Sequence, residues 1–328
     1  MRRPPVADED ANLERLAPDM LAVFQREQEQ KIPADDPVRL PAARAQRREQ
    51  AGYWAETAQP IAQVEDHEVP GSPAGLGIRL FRQDPSEARP VILFIHGGGW
   101  ALGGIEEVEP AVRHLAHETG SAVAAVRYRL APEHPYPAGL EDCLRAYAWL
   151  LSGDHELSLD TSRTAIVGDS AGANLALALA LARRDRGQPL PQALGLIYGV
   201  FGAELDTASY NAFGDGRFGL SKAQMKIFFD WYDPGGRRND DPLIQPLLAD
   251  VTGLPPTWLG LAELDVLRDD TLMMARRLTD QGVEHRLEHY PGVIHGFINR
   301  GREVAAANRA LSDLASSLRT WGIEGMRS

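Results

Sequence analysis

Lysine, cysteine, net positive charge and long apolar runs are what this 328-residue chain is short of. Only Lys31, Lys222 and Lys226 are lysines among its 34 basic residues, which we read as genomic coding bias. The single cysteine, Cys143, excludes an intramolecular disulfide, so the fold does not depend on an oxidising compartment. It falls in an apolar helical pattern, Gly139–Ser152, and reads as a small core residue. No stretch reaches the roughly 20 apolar residues of a membrane span. The N-terminus has two arginines but no apolar segment after them, so it does not read as a signal peptide, and the expected location is the cytoplasm. The 34 basic residues are outnumbered by 46 acidic ones, leaving −12, which argues against nucleic acid or an anionic membrane as main partner. What is present is ordinary for a globular protein: 44% hydrophobic and 24% charged residues, enough chain for one large domain or two smaller ones.

Residues 1–55 are polar and strand-poor, with Leu13, Leu16, Met20, Val23 and Phe24 at helical spacing within Ala11–Gln30. The texture then changes. Short apolar runs at Ile61–Val69, Leu76–Arg82, Val91–Ile95, Ala122–Arg127, Thr164–Gly168, Ala193–Tyr198, Thr257–Ala262 and His285–Tyr290 predict eight strands. The middle four are almost unbroken apolar, as strands are when helices cover both faces of a parallel sheet. Helical patterns lie between them at Val108–Thr119, Gly139–Ser152, Ala171–Arg186 and Arg268–Gln281, with a last one at Glu303–Trp321. The alternation predicts a doubly wound α/β sheet. One interval breaks the rhythm: Gly199–Pro256 has no strand candidate but an amphipathic helix at Ser221–Tyr232, which suggests a lid or small subdomain.

The strongest chemical signal is Gly168-Asp169-Ser170-Ala171-Gly172, which joins an apolar strand directly to a helix. That context identifies a nucleophile elbow, where a sharp turn lifts a serine hydroxyl above the sheet at a helix N-terminus. A second strand ends in His96-Gly97-Gly98-Gly99-Trp100, whose glycines can present adjacent N–H groups to an oxyanion. No G-K-[ST] follows, so it is not a phosphate loop. A serine nucleophile needs a base. Of nine histidines, His67, His114, His117, His155, His285 and His289 have no special context, and His114 with His117 lacks the carboxylates or cysteines of a metal site. His96 reads as a structural hydrogen-bonding residue and His134 as proline-hemmed. His295 follows the last strand in the loop Tyr290–Phe297, where α/β enzymes place catalytic groups. Asp265, at the end of a strand and between serine and histidine in chain order, is the candidate acid. Glu263 would point the other way by strand alternation, and Asp269 and Asp270 suit the dipole of the following helix.

These segments, with Tyr128–Ala138, the Asp265-Val266-Leu267 step and His295-Gly296-Phe297, resemble the bacterial hormone-sensitive-lipase family of carboxylesterases over about residues 60–321. Leu196–Gly202 and the aromatic helix after it look most like bacterial acetyl esterases. The resemblance implies an α/β-hydrolase fold with an eight-stranded, mostly parallel sheet, helices on both faces and a helical cap. The cap would combine 1–55 with an insertion at 203–245, leaving 56–202 and 246–328 as the catalytic domain. It implies a triad of Ser170, Asp265 and His295, oxyanion donors at Gly98, Gly99 and Ala171, and no metal or organic cofactor. Val266 stands where proline is usual and Ala173 where a third glycine is common. Short-chain esters, acetyl to hexanoyl, are the expected substrates, with Trp100, Phe201 and Phe213 as candidates to close the acyl pocket. The last strand and C-terminal helix offer a homodimer face, as in many relatives. The alternatives are a ligand-binding protein without catalysis, or an amidase or lyase on the same scaffold.

Overall fold

The computed structural model describes residues 13–73, 76–153 and 157–325. Eight strands form one sheet: β1 (Gln63–Glu68), β2 (Gly77–Arg82), β3 (Arg89–Ile95), β4 (Ala122–Arg127), β5 (Leu159–Asp169), β6 (Ala193–Ile197), β7 (Thr257–Leu264) and β8 (His285–Ile294). Their order is β1-β2-β4-β3-β5-β6-β7-β8. The first two pairings are antiparallel and the remaining five parallel. All eight expected strands are present, and four run further than expected: β3 and β7 by two residues each, β5 and β8 by more. β5 begins at Leu159. β8 continues through Pro291 and Gly292 to Ile294, so His295 directly follows the strand rather than lying within a loop.

The described helices are α1 (Pro18–Gln30), α2 (Leu40–Ala55), α3 (Ile105–Thr119), α4 (Ala138–Ser152), α5 (Ala171–Asp185), α6 (Ala208–Phe213), α7 (Lys222–Tyr232), α8 (Arg268–Asp280) and α9 (Ala305–Thr320). α3 packs on α9 and α4 on α5, so both faces of the sheet are covered. The central strands β3, β4 and β6 are buried almost throughout, and α5 is buried from Ala171 to Arg183. This is why both read as nearly continuous apolar sequence.

The two helix-only regions sit at the carboxyl ends of the strands. α1 buries Met20, Val23 and Phe24 and contacts β8; α2 buries Leu40, Ala43, Ala51 and Trp54 and packs on α3. In the interval after β6, Ser221 caps α7 by accepting the Gln224 N–H (3.1 Å), and Met225, Phe228, Phe229 and Tyr232 turn inward. The helical spacing of those four residues placed them on one face, and that face is the buried one.

Candidate active site

Four successive functional segments leave the sheet at the same edge, because β3, β5, β7 and β8 all run parallel and end together. After β5 the chain reverses into α5 through Ser170, whose backbone is held in the left-handed region (φ 56°, ψ −121°). Such strain in a residue with a side chain persists only where its surroundings enforce it. The enforcement is close packing. A Cβ at Gly172 would run into the Ile95 carbonyl, and one at Gly168 into the Gly172 carbonyl. Ser170 N–H is tied to Ile197 O at 2.8 Å.

His295, first residue after β8, reaches this serine: Ser170 Oγ–H donates to Nε2 at 2.8 Å. Its other ring nitrogen lies 2.7 Å from Asp265 Oδ2. An ionised carboxylate only accepts, so the proton sits on Nδ1 and leaves Nε2 free to accept. Asp265, following β7, is 2% exposed, and its second oxygen accepts the Leu267 N–H at 3.0 Å. Val266 in place of the usual proline leaves this arrangement intact, because the bond to the acid comes from the next residue.

After β3, Gly98 and Gly99 take φ values of 118° and 60°, which only glycine adopts without penalty. A Cβ on Gly99 would also enter the Phe228 ring. The backbone N–H groups of Gly98, Gly99 and Ala171 have no partner among the described residues. Gly97 N–H is different. It donates to Asp169 Oδ1 at 2.7 Å. Asp169 is 4% exposed, its other oxygen is 3.5 Å from the Tyr198 hydroxyl, and burial raises its pKa to about 6. This carboxyl links the glycine loop to the residue before Ser170. Only its place inside the elbow marked it in the sequence.

Ser170 and His295 open on a cavity of roughly 210 Å³. Its inner side is the glycine loop with Leu102 and Val108. Phe24, Leu220, Met225, Phe228 and Ile294 make an apolar flank, and polar residues of α1 and α2, with Lys31, Glu107, Asn299 and Arg300, form the outer wall. Trp100, Phe201 and Phe213, expected to close the acyl pocket, do not line this cavity. Trp100 is turned away and stacks on Tyr232 (centroids 4.3 Å apart, 5° between planes). Phe201 is wholly buried against Gly199. Phe213 packs edge-on to Phe218 beneath the Arg15 and Arg268 guanidiniums. Phe24 and Phe228 are the phenylalanines that line it among the described residues.

Among the other described histidines, only His96 reaches the cavity. Its Nδ1–H donates to Gly97 O (2.8 Å), its ring stacks on Tyr128, and burial lowers its pKa, so it braces the glycine loop. His114 bonds to Ser312 and His285 to Val283 O. His155 lies outside the described residues. Glu263 accepts from Gly292 N–H and pairs with Arg15, away from His295. Asp270 does more than face the helix dipole: it is 1% exposed, accepts the N–H groups of Phe201 and Gly202 (both 2.8 Å), and burial raises its pKa to about 7. No group of three or more His, Cys, Asp or Glu with metal-binding geometry occurs among the described residues, and none of their helices is long and apolar enough to cross a membrane.

Residues 92–299 match a protein-family model described as alpha/beta hydrolase fold. The chain is 39% identical over 238 residues to Carboxylesterase NlhH of Mycobacterium tuberculosis, covering 68% of this chain and 74% of that one. It is 34% identical over 250 residues to the Ethyl acetate hydrolase of Pseudomonas putida, covering 74% and 78%. The solved structure of a hyperthermophilic esterase from Pyrobaculum calidifontis superimposes with a TM-score of 0.87 at 32% identity, covering 94% of this chain and 99% of that one. An eight-stranded, mostly parallel sheet that gathers these segments at one edge, in a chain this similar to known esterases, belongs to the hormone-sensitive-lipase-like carboxylesterases of the α/β-hydrolase fold and is a carboxylic ester hydrolase.

Proposed function

We propose that the protein hydrolyses short-chain esters, acetyl to hexanoyl, through a Ser170–His295–Asp265 triad and a covalent acyl-enzyme. The observation that carries this reading is the unbroken hydrogen-bond path from Ser170 Oγ through His295 to Asp265, at 2.8 and 2.7 Å. Ser170 Oγ attacks the ester carbonyl while His295 Nε2 takes its proton. Asp265 stabilises the resulting imidazolium and holds the ring in the tautomer that accepts at Nε2. The carbonyl oxygen becomes an oxyanion, received by the N–H groups of Gly98, Gly99 and Ala171. His295 returns the proton to the leaving alcohol. Water, deprotonated by the same nitrogen, then releases the acid and restores Ser170.

Two features favour a small acyl group. The cavity is only roughly 210 Å³, and the bulky rings of Phe24 and Phe228 are among its lining. The interval 203–245, read together with 1–55 as a cap, carries ion pairs such as Lys222–Asp206 and Lys226–Asp230, which do not suit an oil interface.

The test is hydrolysis of p-nitrophenyl esters from C2 to C16 by wild type and Ser170→Ala. Fast turnover confined to C2–C6, with a loss of roughly 10³-fold or more in the variant, is expected. Activity in Ser170→Ala equal to wild type, or a preference for C12–C16, overturns the reading. Parallel assay of the matching amides distinguishes an amidase.

A further inference from the structure

The outer wall of the cavity carries charge that does not balance. Glu27, Lys31, Arg47, Glu107 and Arg300 all line it. Arg47 Nε pairs with Glu107 at 3.0 Å. Arg300, in the turn after His295, engages both oxygens of Glu27, at 2.6 and 3.3 Å. Glu27 stands four residues before Lys31, the spacing at which a helix ordinarily pairs a glutamate with a lysine. Arg300 has taken that carboxylate. Lys222 and Lys226 each have an aspartate, so Lys31 is the one lysine without an acid partner among the described residues.

Its position is held. Lys31 follows the last residue of α1, and the Gln46 side chain on α2 grips both neighbours: its Nε2 donates to Gln30 O, and its Oε1 accepts the Ile32 N–H at 2.9 Å. The residue as a whole is exposed, yet it lines the cavity. Burial of the amine, and then the nearby Arg47 guanidinium, lower its pKa, and the pull of Glu27 only partly offsets them. A cation beside another cation, in a partly desolvated wall, is stabilised by an anion. The rest of the polar lining is the amides Gln28, Gln46, Gln50, Gln224 and Asn299, with His96, Asp169, Ser170 and His295 on the inner side, where the Asp169 carboxyl is held by the Gly97 N–H rather than by Lys31.

We propose that the preferred substrate is an ester carrying an anionic group remote from the scissile bond, which Lys31 recognises from the outer wall of the cavity. The inference rests on the esterase reading of the same cavity. Lys31 takes no part in bond making.

The test uses two matched pairs of esters. 4-Acetoxybenzoate and 4-acetoxybenzamide differ by an anion on the leaving alcohol. Mono-4-nitrophenyl adipate and its adipamide analogue differ by an anion on the acyl chain. Each enzymatic rate is divided by the ester's own hydroxide-catalysed rate. Wild type is expected to favour the anionic member of at least one pair by about threefold to fivefold in kcat/KM, the scale of a partly exposed ion pair. The preference resides mainly in KM and shrinks as added salt screens it. Lys31→Gln collapses the ratio and Lys31→Arg keeps it. Equal or inverted ratios in both pairs, or a preference that survives Lys31→Gln, overturn the proposal while leaving the esterase reading in place. If no member of either pair is cleaved, the esterase reading falls and this inference falls with it.

Discussion

The inner wall of the cavity is made of residues set by strand ends and the outer wall of long side chains carried by helices. On the inner side, His96–Gly99, Ser170 and His295 come directly after mutually parallel strands of the sheet, as does Asp265 behind His295. Their freedom is set by the sheet, and the exposed N–H groups need no rotamer to be chosen. On the outer side, α1, α2 and α7 reach the cavity only through long side chains, and they are anchored by long side chains too. Arg44 reaches Ala101 O, Ala131 O and both oxygens of Glu133 at 2.7–2.9 Å; Arg26 grips both oxygens of Glu303 at 2.6 and 2.9 Å. On the proposed mechanism, chemistry that depends on geometry of a few tenths of an ångström falls to the rigid side. On the proposed reading, recognition, which tolerates looser contacts, falls to the adjustable one.

If that division holds, changes on the two sides differ in kind as well as in size. The largest effect is expected for Asp265→Asn. It keeps the shape but lets His295 adopt the tautomer that cannot accept from Ser170, so kcat should fall by about 10³–10⁴-fold with little change in KM. A stopped assay on p-nitrophenyl acetate reads this, and a loss below tenfold would dissolve the distinction between walls. Asp169→Ala comes next. It leaves the buried Gly97 N–H without an acceptor, which costs about 1–3 kcal/mol, and it frees the glycine loop to shift. A fall in kcat of about 10–100-fold, with an intact circular dichroism spectrum, would show that the inner wall is one mechanical unit.

The third effect is on stability. The folded-state pKa of Asp270, about 7, lies above its ordinary 3.8. Its contribution is therefore fully present below about pH 4 and is lost as pH rises through 7. Asp270→Asn is neutral throughout, so its melting temperature should fall less than that of wild type between pH 5 and pH 8, by a few degrees in calorimetry. Parallel curves for the two proteins would mean that Asp270 titrates normally. The smallest effect is expected on the outer side. Arg26→Ala removes one partly exposed ion pair and its contacts over the Tyr53 and Trp54 rings. A drop of about 1–3 °C in melting temperature, with kcat changed less than twofold, fits an anchor; a tenfold loss of kcat would put the outer wall into the chemistry.

The same division explains what could be read from the chain. Ser170 was legible because a strand, five residues and a helix are contiguous. His295 and Asp265 were legible because strand ends, chain order and residue type converge on few candidates. Trp100, Phe201 and Phe213 were misplaced for the opposite reason. Their type says that they are bulky and apolar, which is equally true of a pocket wall and of the layer behind it. Trp100 leaves the glycine loop with φ 56° and turns toward Tyr232, a residue 132 positions away. Phe24 and Phe228 look no different in sequence, yet they face the cavity.

Local spacing thus determined the strands, the inward face of α7, the elbow and the glycine loop, since each is encoded within a few neighbouring residues whose backbone preferences and burial repeat with a fixed period. The sheet order was needed for the rest. It alone brings residues 96–99, 170, 265 and 295 to one edge, buries Asp169 and Asp270 deeply enough to raise their pKa values, and gives the Glu27 carboxylate to Arg300 rather than to Lys31. Desolvation and the choice among competing ionic partners depend on everything that packs around a group, and no short window of sequence contains that.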